Sequence, residues 1–195
     1  MNVTKIGLIR HGITEWNIEK RVQGQSDIPL NDTGRQQARS LANRLKSEEW
    51  DYIFASDLIR AKETAEIIAQ TMGLHVKTDE RLREMYCGEI EGTTLDERVS
   101  RWGDEWGKLE LGIEDDETIM SRGMSFIEDI STSLPGEKVL IISHGALLGV
   151  TLKKLIPHVD TEEHLKNTSI TVLNLKSKWE CELYNCARHL NESLN

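Results

Sequence analysis

Two apolar segments of this sequence end in the same way, with a histidine followed by a glycine. The first runs from Val3 to Ile9 and is followed by Arg10 and His11. The second runs from Val139 to Ile142 and is followed, after one serine, by His144. Short aliphatic and β-branched runs are typical of buried parallel strands, and ligands bind at the edge where the carboxyl ends of such strands meet. We therefore expect the two histidines to share one site at that edge.

Two arginines suit this expected site to a phosphate group. Arg10 directly precedes the first histidine, and Arg60 lies near the start of a predicted helix. A planar guanidinium group can bind two phosphate oxygens at once, and helix N-termini after Gly12 and Gly145 would add backbone N–H groups. If the arginines and a protonated His144 carry the charge of the transition state, no metal ion is required.

The same residues can support covalent catalysis on phosphorus. A neutral imidazole such as that of His11 is a competent nucleophile, and a phosphohistidine divides hydrolysis into two easier steps. A carboxylic acid must then protonate the leaving alkoxide and afterwards activate water. Glu84 is our preferred candidate, although Glu89 and Glu91 lie nearby and either could serve on spacing alone.

The elements around these residues alternate between strands and helices, which predicts an α/β fold. It is a three-layer sandwich with a mostly parallel central sheet flanked by helices. The strands are predicted at 3–9, 52–55, 75–78, 139–142, 170–175 and 179–184, the last two as a hairpin. Helices are predicted from the spacing of apolar residues around 38–45, 61–72, 119–130 and 147–155. The first helix could begin with a capping box of Thr33 and Gln36 or with Asn31 as N-cap.

One stretch, from about residue 93 to 117, breaks this alternation. It is charged and carries Trp102 and Trp106 one helical turn apart, and we predict that it folds over the sheet edge as a small lid. The tryptophans are expected to pack within the lid, and the acidic run 114–117 to form a solvated helix start. No repeat or linker interrupts residues 1–195, so one domain is predicted.

Composition excludes several other classes of protein. The formal net charge of −9 argues against nucleic-acid binding, which needs a basic face. No apolar run approaches the length of a membrane span or a signal peptide. The three cysteines, Cys87, Cys181 and Cys186, lack the spacing of a disulfide framework or a zinc site. A cytoplasmic location is therefore expected.

The motifs, in their order along the chain, resemble those of the histidine phosphatase superfamily, and more narrowly its cofactor-dependent phosphoglycerate mutase-like branch. The similarity covers about residues 4 to 175. The matching positions are Arg10-His11-Gly12, Thr14, Trp16, Asn17, Gly24, Asp27, Pro29-Leu30, Gly34, Gln37-Ala38, Ser56-Asp57-Leu58, Arg60-Ala61, Thr64-Ala65, Leu82-Arg83-Glu84, Gly88, Glu91-Gly92 and Ser143-His144-Gly145.

The resemblance implies a role for each matching residue. His11 would be the phosphorylated nucleophile and Glu84 the proton donor and acceptor. The phosphate would be bound by Arg10, Arg60, His144 and Asn17, and further substrate contacts could come from Ile13, Glu15 and Gln23.

Two departures from the family pattern are visible. Ile13 stands where the family often has Glu or Gln, which removes a polar contact and leaves the substrate open. The Gly-Glu-Ser motif that often precedes the penultimate helix is present only as Asp116-Glu117-Thr118.

The expected function is a metal-independent, cofactor-free phosphatase for small phosphomonoesters, with a small phosphorylated metabolite as its partner. The alternative in the same family is a phosphoglycerate mutase. Mutases of this branch tend to have a longer lid segment and a C-terminal tail over the site, and this chain is short in both places. Two other classes remain: a metal site of His11, His144 and Glu84, and a phosphate-binding module without catalysis. The sequence does not indicate an oligomeric state.

Purely structural interpretations also exist for single residues. A lone histidine at a strand end is more often structural than catalytic, which fits His75, His158, His164 and His189. Arg60 could simply pair with Glu63 on its own helix. The combination of two strand–His–Gly segments with two arginines and a glutamate is what favours catalysis.

Overall fold

A computed structural model describes residues 4–190 and shows a six-stranded sheet between two layers of helices. The strands are β1 (Thr4–Arg10), β2 (Tyr52–Ala55), β3 (Val76–Thr78), β4 (Lys138–Ser143), β5 (Ile170–Leu175) and β6 (Trp179–Cys186). The helices are α1 (Glu15–Ile18), α2 (Asp32–Leu45), α3 (Ile59–Met72), α4 (Leu95–Trp102), α5 (Asp116–Ser133) and α6 (Gly145–Leu155). The predicted α/β class and three-layer architecture are confirmed.

The strand order in the sheet is β3-β2-β4-β1-β5-β6. The first four of these strands are parallel, whereas β5 runs antiparallel to β1 and pairs with β6 as the predicted hairpin. In the register of β1 and β4, Arg10 lies opposite Ser143. The next residues of the two strands, His11 and His144, therefore leave the sheet side by side.

Each face of the sheet carries its own apolar core because strand side chains alternate between the two faces. Ile6 and Leu8 of β1 pack with α5 and α6, whereas Ile9 packs with α2 and α3. The central strand β4 is buried along nearly its whole length, so its end is a rigid support for the residues after it.

Several boundaries differ from the sequence-based prediction. Asn31 is the N-cap of α2, its side chain accepting a hydrogen bond from the amide of Gly34, so the capping box at Thr33 is wrong. Strand β3 begins one residue later than predicted, at Val76, and β6 extends to Cys186. The predictions for residues 1–3 and 191–195 lie outside the described part of the chain.

The predicted lid segment forms helix α4 and a short 3₁₀ turn, Trp106–Lys108. Trp102 ends α4, and Gly103 with φ +81° turns the chain away, so the two tryptophans do not share one helix. Their rings stack on Arg101 and Arg98 at 4.6 and 4.7 Å, as expected for packing within the segment.

The acidic run is only partly solvated. Asp115 caps α5 by accepting a hydrogen bond from the amide of Thr118, as a helix start requires. Glu114, however, is largely buried in an ion pair with Arg122.

Candidate active site

The two histidines meet at the carboxyl edge of the sheet, as predicted. Their ring centroids are 5.2 Å apart and the rings are inclined by 59°. His11 is 2% exposed and His144 is fully buried. Two imidazoles so deeply buried at the end of adjacent strands are held in fixed positions by the packed sheet.

Hydrogen bonding fixes the tautomer of His11. Its Nδ1 lies 2.7 Å from the carbonyl oxygen of Gly12, which can only accept, so Nδ1 carries the proton and Nε2 keeps its lone pair. Burial, together with the positive charges of Arg60 and Arg10, holds the pKa of His11 well below its usual value. The imidazole is therefore neutral near pH 7, the form in which Nε2 can attack phosphorus.

His144 differs in having no hydrogen-bond partner among the described residues at either ring nitrogen. Its pKa is also held well below the usual value, by burial and by the positive charges of Arg60, Arg10 and Arg122. The protonated His144 expected from the sequence is thus not the state that these neighbours favour. An anion beside the ring would raise its pKa again, and buried polar atoms without partners are typical of ligand sites.

Both predicted arginines lie at the site. Arg10 donates from Nη1 to the carbonyl of Leu165 at 2.6 Å, and its buried Nε has no partner within residues 4–190. Arg60, fully buried, donates to the carbonyls of Ser26 and Gly24 at 2.8 and 2.7 Å. These bonds orient the two groups without neutralising them, because carbonyls carry no net charge.

The alternative pairing of Arg60 with Glu63 is not formed. Glu63 instead pairs with Arg35, at 2.6 Å from its Nε. Burial lowers the pKa of Arg60 to about 10, which still leaves the guanidinium positive at pH 7. The site therefore holds two buried positive charges next to the histidines, a strong requirement for an anionic ligand.

Glu84 lies at the start of helix α6. Its carboxylate accepts hydrogen bonds from the backbone amides of Leu147 and Ala146, at 3.1 and 3.2 Å, and from its neighbour Met85 at 2.9 Å. The sequence-based assignment of this helix N-terminus to phosphate is therefore wrong for these two amides, since they hold the glutamate instead.

The matching prediction after the first histidine is also wrong. No helix begins at Gly12: its amide donates to Thr64 Oγ1 at 3.1 Å, and that of Ile13 donates to Gln37 Oε1 at 2.9 Å. The short helix α1 begins only at Glu15. The chain leaves this strand by a turn, so its amides serve the fold.

Of the three glutamates considered as the acid, Glu84 is the one that the geometry favours. The carboxylate of Glu91 accepts from the amides of Gln25 and Cys87 and from the hydroxyl of Ser26, at 2.7 to 3.0 Å, and like Glu89 it does not line the cavity that opens at His11. Glu84 lines this cavity, whereas His144 is not among its described lining residues.

A cavity of about 210 Å³ opens at this point, and we call it the histidine cavity. Its described lining residues are Arg10, His11, Asn17, Arg21, Val22, Gln23, Gly24, Arg60, Glu84, Met85, Cys87 and Ala146. The amide oxygens of Asn17 and Gln23 accept hydrogen bonds from Thr14 at 3.0 to 3.1 Å. A pocket of this size fits a phosphoryl group and a small attached alcohol.

The comparison with protein families decides the identity of this arrangement. A model described as "Histidine phosphatase superfamily (branch 1)" matches residues 6–187. The chain belongs to the histidine phosphatase superfamily. The resemblance stated from the sequence motifs is confirmed.

Relatives within the superfamily carry both phosphatase and mutase names. "Uncharacterized phosphatase PhoE" of Bacillus subtilis is 33% identical over 192 residues, with 97% of this chain and 98% of the relative covered. "Probable phosphoglycerate mutase GpmB" of Photorhabdus laumondii is 35% identical over 205 residues, with 96% and 95% covered. Sequence similarity alone therefore does not separate the two activities.

Solved structures of the superfamily confirm the fold. Bacillus stearothermophilus YhfR superposes with a TM-score of 0.86 at 31% identity, with 95% of this chain and 98% of that chain covered. A mycobacterial glucosyl-3-phosphoglycerate phosphatase superposes with a TM-score of 0.83 at 25% identity, with 94% and 99% covered.

Among the predicted substrate contacts of this superfamily member, only Gln23 lines the histidine cavity. Ile13 instead borders a separate cavity of about 340 Å³, together with Gln37 and Lys166. Glu15 is exposed at the first turn of α1 and lies within 3.4 Å of the amide nitrogen of Asn31. The residue after Gly12 faces away from the site because its backbone is held by Gln37.

The structure adds lining residues that were not predicted as site residues: Arg21, Val22, Gly24, Met85, Cys87 and Ala146. The signal for Gly24 was its place in the family pattern, and its φ of +51° explains the glycine. Arg21 pairs with Glu97 of α4 at 2.6 Å and donates to the carbonyl of Gly92. The predicted lid therefore touches the wall of the cavity through Arg21, while contributing no lining residue of its own in the described chain.

Two further findings concern other classes of function. Within residues 4–190, no group of three or more histidine, cysteine, aspartate or glutamate side chains is arranged to hold a metal ion. The alternative metal site of His11, His144 and Glu84 thus has no geometric support. No helix in the same residues is long and apolar enough to span a membrane.

Proposed function

We propose that this histidine phosphatase superfamily member hydrolyses small phosphomonoesters through a phosphohistidine on His11, without a metal ion. The observation that carries the proposal is the state of His11. Its Nδ1–H is tied to the Gly12 carbonyl, which leaves a neutral Nε2 next to two buried guanidinium groups. A nucleophile and two cationic groups that can bind an anion are thus held next to each other in fixed positions.

The first step transfers the phosphoryl group. Nε2 of His11 forms a bond to phosphorus while the bond from phosphorus to the ester oxygen breaks. The charge that develops on the phosphoryl oxygens is stabilised by Arg10 and Arg60, two cations that the fold already holds in place. Glu84, in its protonated form, gives its proton to the departing alkoxide.

The second step returns the enzyme to its starting state. The Glu84 carboxylate takes a proton from a water molecule, whose oxygen attacks phosphorus as the bond from phosphorus to Nε2 breaks. Inorganic phosphate leaves, His11 is neutral again and Glu84 holds a proton for the next cycle. The amides of Ala146 and Leu147 keep the carboxylate in one position through both steps.

Hydrolysis rather than phosphoglycerate mutase activity is supported by the lid. A mutase must retain its product while the phosphohistidine survives. None of the described lining residues of the histidine cavity comes from segment 93–117, so an alcohol product can leave and water can enter. The mutase remains the second candidate, because relatives of similar identity carry that name.

The proposal extends to partner and place. Its substrate is a small phosphorylated metabolite, a size that fits the cavity volume of about 210 Å³. All three cysteines are free thiols, which supports the reducing cytoplasm as the place of action.

The deciding experiment follows the phosphoryl group from 3-phosphoglycerate and from a panel of sugar, nucleotide and glycerol phosphates. The enzyme is first treated with EDTA. We expect release of inorganic phosphate, with retention of activity after EDTA. Formation of 2-phosphoglycerate without free phosphate would establish the mutase instead, and loss of activity that Mg²⁺ or Zn²⁺ restores would refute the metal-independent step.

A further inference from the structure

We propose that Arg122 of helix α5 is a positioning residue for the catalytic acid Glu84. The proposal rests on the proposed function, because it concerns the proton that Glu84 delivers. No sequence motif above assigns Arg122 a role. Its side chain is only 18% exposed, and each hydrogen bond that it makes within the described residues falls on the loop carrying Glu84 or on Glu114.

The guanidinium group binds a row of backbone carbonyls. Nη1 donates to the carbonyl of Arg81 at 3.0 Å and to that of Arg83, and Nη2 donates to the carbonyl of Glu84 itself at 2.8 Å. The carbonyl of Arg81 belongs to the 3₁₀ turn Glu80–Leu82, and those of Arg83 and Glu84 follow it in a loop without regular secondary structure. Arg122 therefore holds the backbone immediately before and at the catalytic acid, where the carbonyl of Glu84 also accepts from Gln25 Nε2 at 3.1 Å.

Glu114 holds the loop on the other side of Glu84, and we call Arg122 and Glu114 together the Glu84 clamp. Both of its carboxylate oxygens accept from Arg122, from Nε and from Nη2, each at 2.8 Å, and Oε2 also accepts from the amide of Tyr86 at 3.0 Å. Glu114 is 11% exposed, and Arg122 lowers the pKa of its carboxyl group. A paired, bidentate contact with little exposure is far stronger than a surface ion pair.

The Glu84 clamp lies outside the histidine cavity. Arg122 lies on the wall of a separate open cavity with Ser121 and Ser125 and does not line the histidine cavity. Glu84 is then held from two directions: its backbone by Arg122, and its carboxylate by the first amides of α6. Proton transfer depends on placement to within a fraction of an ångström, so loosening the backbone should impair this step selectively.

The test compares two substrates that differ in their need for an acid. Nitrophenolate leaves phosphorus without protonation, whereas the alkoxide of glycerol phosphate requires it. For Arg122→Gln we expect the rate of phosphoenzyme formation, measured by rapid quench in a single turnover, to fall about 100-fold on glycerol phosphate, the lower end of what general acid catalysis contributes, and less than about 5-fold on p-nitrophenyl phosphate. Arg122→Lys, which keeps the charge and can reach part of the carbonyl row, should recover a portion of the loss.

Arg81→Gln provides the matched control. Arg81 lies on the same face of the protein as Arg122 and pairs with Asp79 and Asp129, at 2.8 and 2.6 Å. Unlike Arg122, its side chain donates no hydrogen bond to a carbonyl of the Glu84 loop. Its loss should lower the two rates equally or not at all. If Arg122→Gln does not fold, Glu114→Gln can replace it, because glutamine keeps neutral hydrogen bonds to Arg122. The rate on glycerol phosphate should then fall about 10-fold more than the rate on p-nitrophenyl phosphate.

The outcomes separate the two proposals. Equal losses in the rate of phosphoenzyme formation from both substrates in the Arg122 or Glu114 variant would show a merely structural role and overturn the inference. A wild-type enzyme that releases phosphate from neither substrate would overturn the proposed function itself.

Discussion

The two strand–His–Gly segments are alike in sequence but differ in the structure that the chain adopts after the histidine. After β4, His144 is itself the N-cap of α6, and the first free amides of that helix hold Glu84. After β1, the chain turns, and the amides of Gly12 and Ile13 are bound by side chains of α3 and α2. The rings differ too, since His11 has one nitrogen hydrogen-bonded, whereas His144 has no partner for either nitrogen within residues 4–190. The shared pattern thus predicts where each histidine lies, whereas its role depends on the hydrogen bonds around it.

The largest effect expected from this difference is catalytic. His11→Ala should abolish the phosphoenzyme and reduce kcat by about 10,000-fold or more, because the nucleophile is lost. His144→Ala should cost about 100-fold, the typical cost of removing one group that stabilises the transition state, and should still form phosphoenzyme. Rapid quench with a ³²P-labelled substrate distinguishes the two. Labelling of the His11 variant at the wild-type level would contradict the assignment.

The two glycines sharpen the comparison through stability. A Cβ on Gly12 would lie 2.6 Å from the backbone oxygen of Gly34, whereas one on Gly145 would lie 3.5 Å from the nearest atom, Arg10 Nε. We expect Gly12→Ala to lower the free energy of unfolding by about 2 kcal/mol, the usual cost of overpacking. Gly145→Ala should change it by less than about 1 kcal/mol, since alanine favours a helix. Urea denaturation measures both, and equal losses would contradict the close approach.

A third test concerns the pH dependence of the free energy of unfolding, to which the two histidines should contribute alike. Both have a pKa held well below that of an unfolded chain, near 6.5. As pH falls below 6.5 the unfolded state takes up protons that the folded state does not, so the free energy of unfolding decreases. The slope is at most about 1.4 kcal/mol per pH unit for each histidine. Above pH 7 it vanishes.

Denaturation of the wild type between pH 7 and 5 measures this slope. His189, whose pKa burial lowers to about 4, adds to it. Replacing either His11 or His144 by alanine should remove a similar share. A slope unchanged in both variants would show that these rings are not held neutral.

The smallest effects are expected two residues after each histidine. Ala146 lines the histidine cavity, whereas Ile13 borders the separate one. Ala146→Leu should therefore raise KM by about 10-fold or more through lost space for the substrate. Ile13→Gln, which restores a residue type common in the family, should change kcat/KM less than about 3-fold. A larger effect at Ile13 would place that side chain in the substrate's path.

The sequence was sufficient for the parts of the site that depend on strand ends. The positions of His11 and His144 follow from two apolar runs and from parallel pairing, and both arginines were found from their chemistry. The hydrogen-bond acceptors of the backbone amides after His11 could not be predicted, because they depend on which side chains of α2 and α3 reach this part of the chain. The Arg122–Glu114 pair was missed for a similar reason. Arg122 also binds carbonyls of a loop some 40 residues earlier, and hydrogen bonds of that span leave no local pattern.

The position of β1 in the sheet has a consequence for synthesis on the ribosome. Its two neighbours are β4 and β5, which enter more than 120 residues later. The first strand to be made therefore has both edges unpaired until residues 138–175 have emerged. Pairing over such a separation is slow and exposes apolar edges meanwhile. The sheet around β1 is thus completed, and His11 and His144 are brought side by side, only in a late step.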